Sequence, residues 1–217
     1  MPRSMLAVVR EVGDQAIHER LAEVLAPVRT QLLARLLPDE GERLLDLNTY
    51  EGNAEYLPFD DGEFDVVMST FAFIWAPDHA NVASELARVI PVGGRLGFTA
   101  WKPNPKLGEL YRRFSEEPLE GRESTEWGRE DHVEDMLGDD FELDFEDGTL
   151  WLDVESGEDL WQLFSHSSPP LVSMLRRLDN ERSEQFHRAF VELFESYREG
   201  ERVRAPRRYL LTLGRRR

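Results

Sequence analysis

The chain carries little of the equipment that covalent or metal-assisted chemistry requires. Its five histidines, His18, His79, His132, His166 and His187, are scattered, without the HxxxH or His–carboxylate spacing of a metal site, and no metal is expected. Cysteine is absent, which removes disulfides, thiolate nucleophiles and Cys-based zinc sites. No serine sits in a nucleophile elbow with acid and histidine partners, and no phosphate loop appears. The residues left for chemistry gather between positions 60 and 80. Phe71, Phe73 and Trp75 could line an apolar substrate pocket, although aromatics at a strand end are more often plain core. His79, in Ala76-Pro77-Asp78-His79, could be a base or polar contact in a substrate cleft; the preferred reading is a residue in the first turn of the next helix. Asp60, Asp61 and Glu63 form an acidic cluster, but Asp-Gly segments are usually just turns. No catalytic residue is assigned.

The elements that must position these residues are plain between Glu51 and Trp101. Phe64 to Met68 (FDVVM) is a short β-branched apolar run bounded by Asp60-Asp61-Gly62, the pattern of a strand buried on both faces. Apolar residues then recur at helical spacing through Val82, Leu86, Val89 and Ile90, Gly93-Gly94 stops that helix, and Arg95 to Ala100 begins a second apolar strand. Strand, helix and strand make a βαβ unit, hence a parallel sheet with a covering helix. His79 stands just past the first of these strands, at the carboxyl edge where open α/β sheets bind ligands.

Three separated strings carry a family likeness: Gly52-Asn53-Ala54-Glu55-Tyr56-Leu57-Pro58-Phe59, then Asp61-Gly62-Glu63-Phe64-Asp65-Val66-Val67, then Ala87-Arg88-Val89-Ile90-Pro91-Val92-Gly93-Gly94-Arg95-Leu96. In this order and spacing they resemble class I S-adenosylmethionine-dependent methyltransferases of the ubiquinone/menaquinone-biosynthesis type. The resemblance implies an α/β fold: a doubly wound, mostly parallel, Rossmann-like sheet with a C-terminal helical insertion. It places Leu44-Leu45-Asp46-Leu47 on the family's first strand, with Asp46 in the acidic position. It also sets the Asn53-Ala54 pair near the adenine of S-adenosylmethionine and Thr70 close by; Phe71, Trp75 and His79 are the residues read directly as candidates for the substrate side.

One departure is large. After Leu47 the chain reads Asn48-Thr49-Tyr50-Glu51 and is already in the Gly52–Phe59 string, so the family's glycine-rich loop and second strand have no counterpart. In doubly wound folds those glycines admit backbone N–H groups to the cofactor, and the next acidic strand end accepts hydrogen bonds from the ribose. A reduced strand number and weakened cofactor binding follow. Two functions stand: methyl transfer from S-adenosylmethionine to a small acceptor, or a non-catalytic binding or partner protein on the methyltransferase fold. The missing strand exposes a sheet edge beside Leu44–Leu47, a template for a homodimer unless the N-terminal helix covers it.

Upstream, Ile17, Leu21, Val24, Leu25, Val28, Leu32, Leu33 and Leu36 form a helical stripe over 14–37, interrupted by Pro27, which predicts a kink or two shorter helices. Downstream, Arg129 to Leu137 is a helix ending at Gly138. Phe141–Phe145 and Thr149–Val154 flank Asp147-Gly148 as a hairpin or bent strand. Helices over 156–164, 171–178 and 181–197 form a cap at about 156–200, and Arg208 to Leu213 is a closing antiparallel strand. With 217 residues and 41% apolar content the whole is expected to be one domain plus that cap. The formal charge of −17 repels phosphate backbones and anionic lipids, so neither nucleic acid nor membrane is an expected partner. Met5 to Val9 is too short for a signal h-region, and a cytoplasmic location is expected.

Overall fold

The computed structural model describes residues 15–50, 52–115 and 122–217. The Met5–Val9 stretch, the expected helix start at Asp14 and Glu51 lie outside them. The first element, α1 (Gln15–Leu36), is one continuous helix with Pro27 inside it. Proline removes one helical N–H, and here both Pro27 and Glu23, four residues before it, are exposed, so the freed carbonyl stays hydrated. The stripe Val28, Leu32 and Leu36 is buried.

The sheet begins with β1 (Leu44–Asp46), β2 (Val66–Thr70) and β3 (Arg95–Trp101), with α2 (His79–Val89) crossing between the last two. Both pairings are parallel, Asp46 facing Met68 and Thr70 facing Thr99 across the ladders. All five residues of β2 are buried, which is why its sequence shows no alternation. After β3 come α3 (Pro105–Phe114), a 3-10 segment (Arg122–Gly128), α4 (Glu130–Leu137) and β4 (Phe141–Val154). Three helices follow, α5 (Gly157–Ser167), α6 (Pro169–Arg177) and α7 (Asn180–Glu195), before the short β5 (Arg198–Glu199) and the long β6 (Arg202–Arg216). The order is β1-β2-β3-β6-β4, with β5 on β6, and the last three strands pair antiparallel. The sheet is thus doubly wound α/β with its parallel half reduced to β1–β3. Residues 52–65 hold no strand, so two of the family's strands are missing and β1 is the terminal strand.

Gly97 shows which face α1 covers. A Cβ there would lie 2.8–2.9 Å from the Leu36 and Leu32 side chains, so the helix reaches the sheet only because β3 has no side chain at that point. Cross-strand register puts Asp46, Met68, Thr70, Thr99, Trp101 and Tyr209 on this α1 face, and the Tyr209 hydroxyl donates to Gln31 of α1 at 2.7 Å. The opposite face is aromatic, Phe98 packing with Phe73 and Trp127. The inserted helices join α1: α5 packs on both α1 and α7, whose Phe186, Phe190 and Phe194 form a buried stripe.

The hairpin alternative at Asp147-Gly148 does not occur, because β4 is a single strand of 14 residues. Gly148 stands opposite Tyr209 and takes its ring where a Cβ would lie 2.1 Å away, while Asp147 bonds Lys102 and Arg208. Both turn-forming residues are therefore held in the ladder by cross-strand partners. No helix among the described residues is long and apolar enough to cross a membrane.

Candidate functional site

The carboxyl ends of β1 and β2 are joined by side chains rather than by a glycine loop. Asn48 donates from Nδ2 to the Thr70 carbonyl and accepts from the Thr70 N–H, both at 2.6 Å, so its amide prolongs the β1–β2 ladder beyond Asp46. Asp46, only 8% exposed, takes the Asn48 N–H on Oδ1 at 3.0 Å, and Arg29 of α1 reaches Oδ2 with Nε and Nη2 at 3.2 and 2.9 Å. Asn53 caps its own turn, accepting from the Glu55 N–H at 3.0 Å and donating to the Glu55 carboxylate at 3.1 Å. Ala54 is buried beside it. The Thr70 and Thr99 hydroxyls, neighbours in register, are buried without a hydrogen-bond partner among the described residues.

The residues that carry the family likeness hold this edge in place. Arg88 donates to the Leu57 and Phe59 carbonyls at 2.9 and 2.7 Å and to Asp61 at 3.0 Å, while Glu85 accepts from both Arg88 and the Leu57 N–H. The Arg88 guanidinium, and secondarily the Leu57 N–H, hold the Glu85 carboxyl below its ordinary pKa against some desolvation. Glu55 also accepts from the Asp78 N–H at 2.8 Å, tying the string to the start of α2. Glu85 was not singled out by sequence; its place one turn before Arg88 on a helix was the available signal.

Past Thr70 the chain turns sharply at Phe71, whose φ of 56° lies in the left-handed region that non-glycine residues rarely enter. That turn lays the Phe71 ring flat on Trp101, centroids 3.6 Å apart and planes 3° off parallel. Phe71, Trp75 and Trp101 line an apolar cavity of about 100 Å³ with Leu21 and Leu25 of α1 and Phe164 of α5. Of the three residues expected toward the substrate, Phe71 and Trp75 meet here, whereas His79 does not line the cavity. His79 is the first residue of α2, and its ring packs against Trp127 on the other side of the sheet.

There the fold brings His79 within 2.9 Å of His132, with Glu126 4.0 Å from the far nitrogen of His132. Among the described residues these three could offer ligand atoms within 4.8 Å of one another, a grouping that sequence spacing did not reveal. The nitrogen-to-nitrogen hydrogen bond fills the position a cation would take between the two rings.

Comparison with known proteins gives the fold an affiliation. Residues 21–98 match the family described as methyltransferase domain. Two uncharacterised proteins of Mycobacterium tuberculosis are each 37% identical over 115 residues, covering 50% of this chain and 41% of theirs, so the chain spans less than half the length of these relatives. The demethylmenaquinone methyltransferase of Thermus thermophilus is 34% identical over 125 residues, 54% of this chain and 57% of that protein. A Bacillus halodurans crystal structure, provisionally described as a methyltransferase, superposes with a TM-score of 0.53 over 86% of this chain and 97% of its own, at 18% identity, a likeness of fold alone. Residues 21–98 are thus similar to the methyltransferase domain, and the chain shares the Rossmann-like fold of these neighbours.

Proposed function

We propose that the protein transfers a methyl group from S-adenosylmethionine to a small, partly apolar acceptor. The observation that carries this reading is the course of α1: Leu21 and Leu25 wall the apolar cavity, and Arg29, one turn further on, meets Asp46 at the strand ends. Acceptor cavity and cofactor edge are therefore neighbours on one face of the sheet.

The residues present fit the cofactor with one exchange. Ala54 and the unpartnered Thr70 hydroxyl suit the adenosine end, and the second N–H of the Asn53 amide remains for the adenine edge. With the family's ribose-binding strand end missing, Asp46 at the end of β1 is the acidic group left for the ribose hydroxyls, and it would accept from them only after giving up Arg29, whose side chain is 50% exposed and can return to water. When bound, S-adenosylmethionine supplies an already activated methyl group, so the chain's task is to align donor and acceptor and to keep water out. Phe71, Trp75 and Trp101 do the second of these. Transfer to an acceptor that is already an anion releases no proton and would need no base from the chain.

One observation favours the other reading, a non-catalytic binding protein on the same fold: Asp46 and Asn53 are both already satisfied internally, by Arg29 and Glu55. Calorimetric titration with S-adenosylhomocysteine separates the two. Dissociation in the micromolar range, on the order of −8 kcal/mol, supports the transferase. Absence of binding at millimolar ligand leaves the binding protein.

A further inference from the structure

The alternation of β6 places Val203, Ala205, Arg207 and Tyr209 in one row on the α1 face, and three of these four are buried. Arg207 breaks the row. Its guanidinium points into the apolar cavity between α1 and the inserted helices, with its Cζ 5.0 Å from the centre of the Trp101 ring. Four other arginines of the strand find acids, Arg202 and Arg204 on Asp153, Arg208 on Asp147 and Arg216 on Asp140, while Arg215 is exposed to water. Arg207, in a chain of formal charge −17, has no carboxylate or hydrogen-bond partner among the described residues. Only the Tyr111 and Tyr197 hydroxyls oppose the effect of burial, which lowers the guanidinium pKa from its ordinary value.

A cation held in apolar surroundings without a counter-ion destabilises the protein that holds it. Such a cost is met at a site where a ligand brings the missing charge. The rest of the cavity says what the ligand's body is: Leu21, Leu25, Phe71 and Phe190 are apolar, and the Ser167 hydroxyl is already taken by the Leu163 carbonyl. Beside Arg207, the Tyr111 hydroxyl bonds Ser168 and stays protonated, its pKa pushed up to about 12 by burial, so it faces an anion as a neutral donor. One guanidinium matches the two oxygens of one carboxylate. The volume, about 100 Å³, admits a body no larger than a single ring.

We propose that this cavity binds a small carboxylate with an apolar or aromatic body, its charge paired with Arg207 and its body stacked among Phe71, Trp75 and Trp101. The anion site stands on its own geometry, while naming its occupant the methyl acceptor rests on the transferase reading.

Benzoate and its uncharged isostere benzamide are the probes, followed by tryptophan fluorescence of the whole chain, since Trp75 and Trp101 line the cavity. Saturable benzoate binding is expected, with benzamide at least about tenfold weaker, the loss of one charged pair. Arg207→Met should abolish the preference for benzoate and leave the thermal midpoint unchanged or higher, because it removes a half-buried cation that has no carboxylate partner among the described residues; Arg207→Lys should retain part of the preference. No saturable benzoate binding, equal binding of the two probes, or benzoate binding indifferent to Arg207→Met would overturn the inference. A drop in thermal midpoint in Arg207→Met with benzoate affinity retained would give Arg207 a structural role and also overturn it. The S-adenosylhomocysteine titration is read separately. Benzoate binding without it keeps the anion site and removes only the acceptor assignment, and its success without benzoate binding overturns this inference alone.

Discussion

Asp46 has two claimants, Arg29 and a cofactor ribose, and the balance between them is measurable. Arg29→Gln is expected to strengthen S-adenosylhomocysteine binding about threefold by releasing the carboxylate, and to lower stability by about 1 kcal/mol, since the lost partner is half exposed. Calorimetry and urea denaturation of the variant check both; unchanged or weaker binding would take Asp46 out of the site. Asn53→Leu should weaken the same ligand about ten- to a hundredfold, the cost of unpaired ligand polar groups, with a smaller effect from Asp46→Ala. A pH dependence follows from Glu85, whose folded-state pKa is depressed by Arg88. A depressed carboxyl stabilises the fold above its ordinary value of 4.5, and that contribution is lost as pH falls through the folded-state value. Stability measured from pH 6 down to pH 3 should therefore fall less steeply in Glu85→Gln than in the wild type, from a lower starting point. The sequence strings had marked the Arg88 region by likeness, but not that Arg88 and Glu85 clamp the 57–61 segment, because the partners are backbone carbonyls that no side-chain pattern reveals. Arg207 was missed for a related reason: its meaning lies in a missing partner, which requires the register of β4 and β6 to be known.

At the scale of elements, the strands buried on both faces were the most legible. FDVVM and RLGFTA carry no polar alternation, and the structure makes β2 and β3 inner strands of the sheet, with β2 (Val66–Thr70) beginning two residues later than the Phe64 to Met68 run suggested. The antiparallel half was harder, since β6 extends well beyond Arg208–Leu213 at both ends. Its flanks are arginine-rich and look like loop until Asp153, Asp147 and Asp140 are seen opposite them. The Pro27 break failed to appear because the proline faces water rather than the sheet. The close approach of α1 to β3 gives the sharpest test of an element. Gly97→Ala sets a methyl 2.8–2.9 Å from Leu36 and Leu32, and should cost about 1–3 kcal/mol in urea denaturation through overpacking. A neutral Gly97→Ala would mean that α1 does not lie where the structure has it.

For the whole molecule, 43 acidic against 26 basic residues leave an excess that the many ion pairs do not cancel. Most of those pairs are solvent-exposed and contribute little each, so screening the net repulsion should outweigh their loss. The thermal midpoint is accordingly expected to rise between 0.1 and 1 M KCl, over which the screening length falls from about 10 to about 3 Å. A midpoint that falls with salt would assign the ion pairs the larger share. The free edge of β1 is only three residues long, so a second copy pairing there would gain a short ladder, and light scattering over the same salt range decides whether it forms. The central claim, that a chain with a methyltransferase-like domain reduced in this way uses the β1–β2 edge to bind S-adenosylmethionine, is tested most directly by amide NMR during titration with S-adenosylhomocysteine. Saturable shifts concentrated at Asp46, Asn48, Ala54, Thr70 and Phe71 are the expected result; no shifts at millimolar ligand, or shifts confined to other parts of the chain, would contradict it.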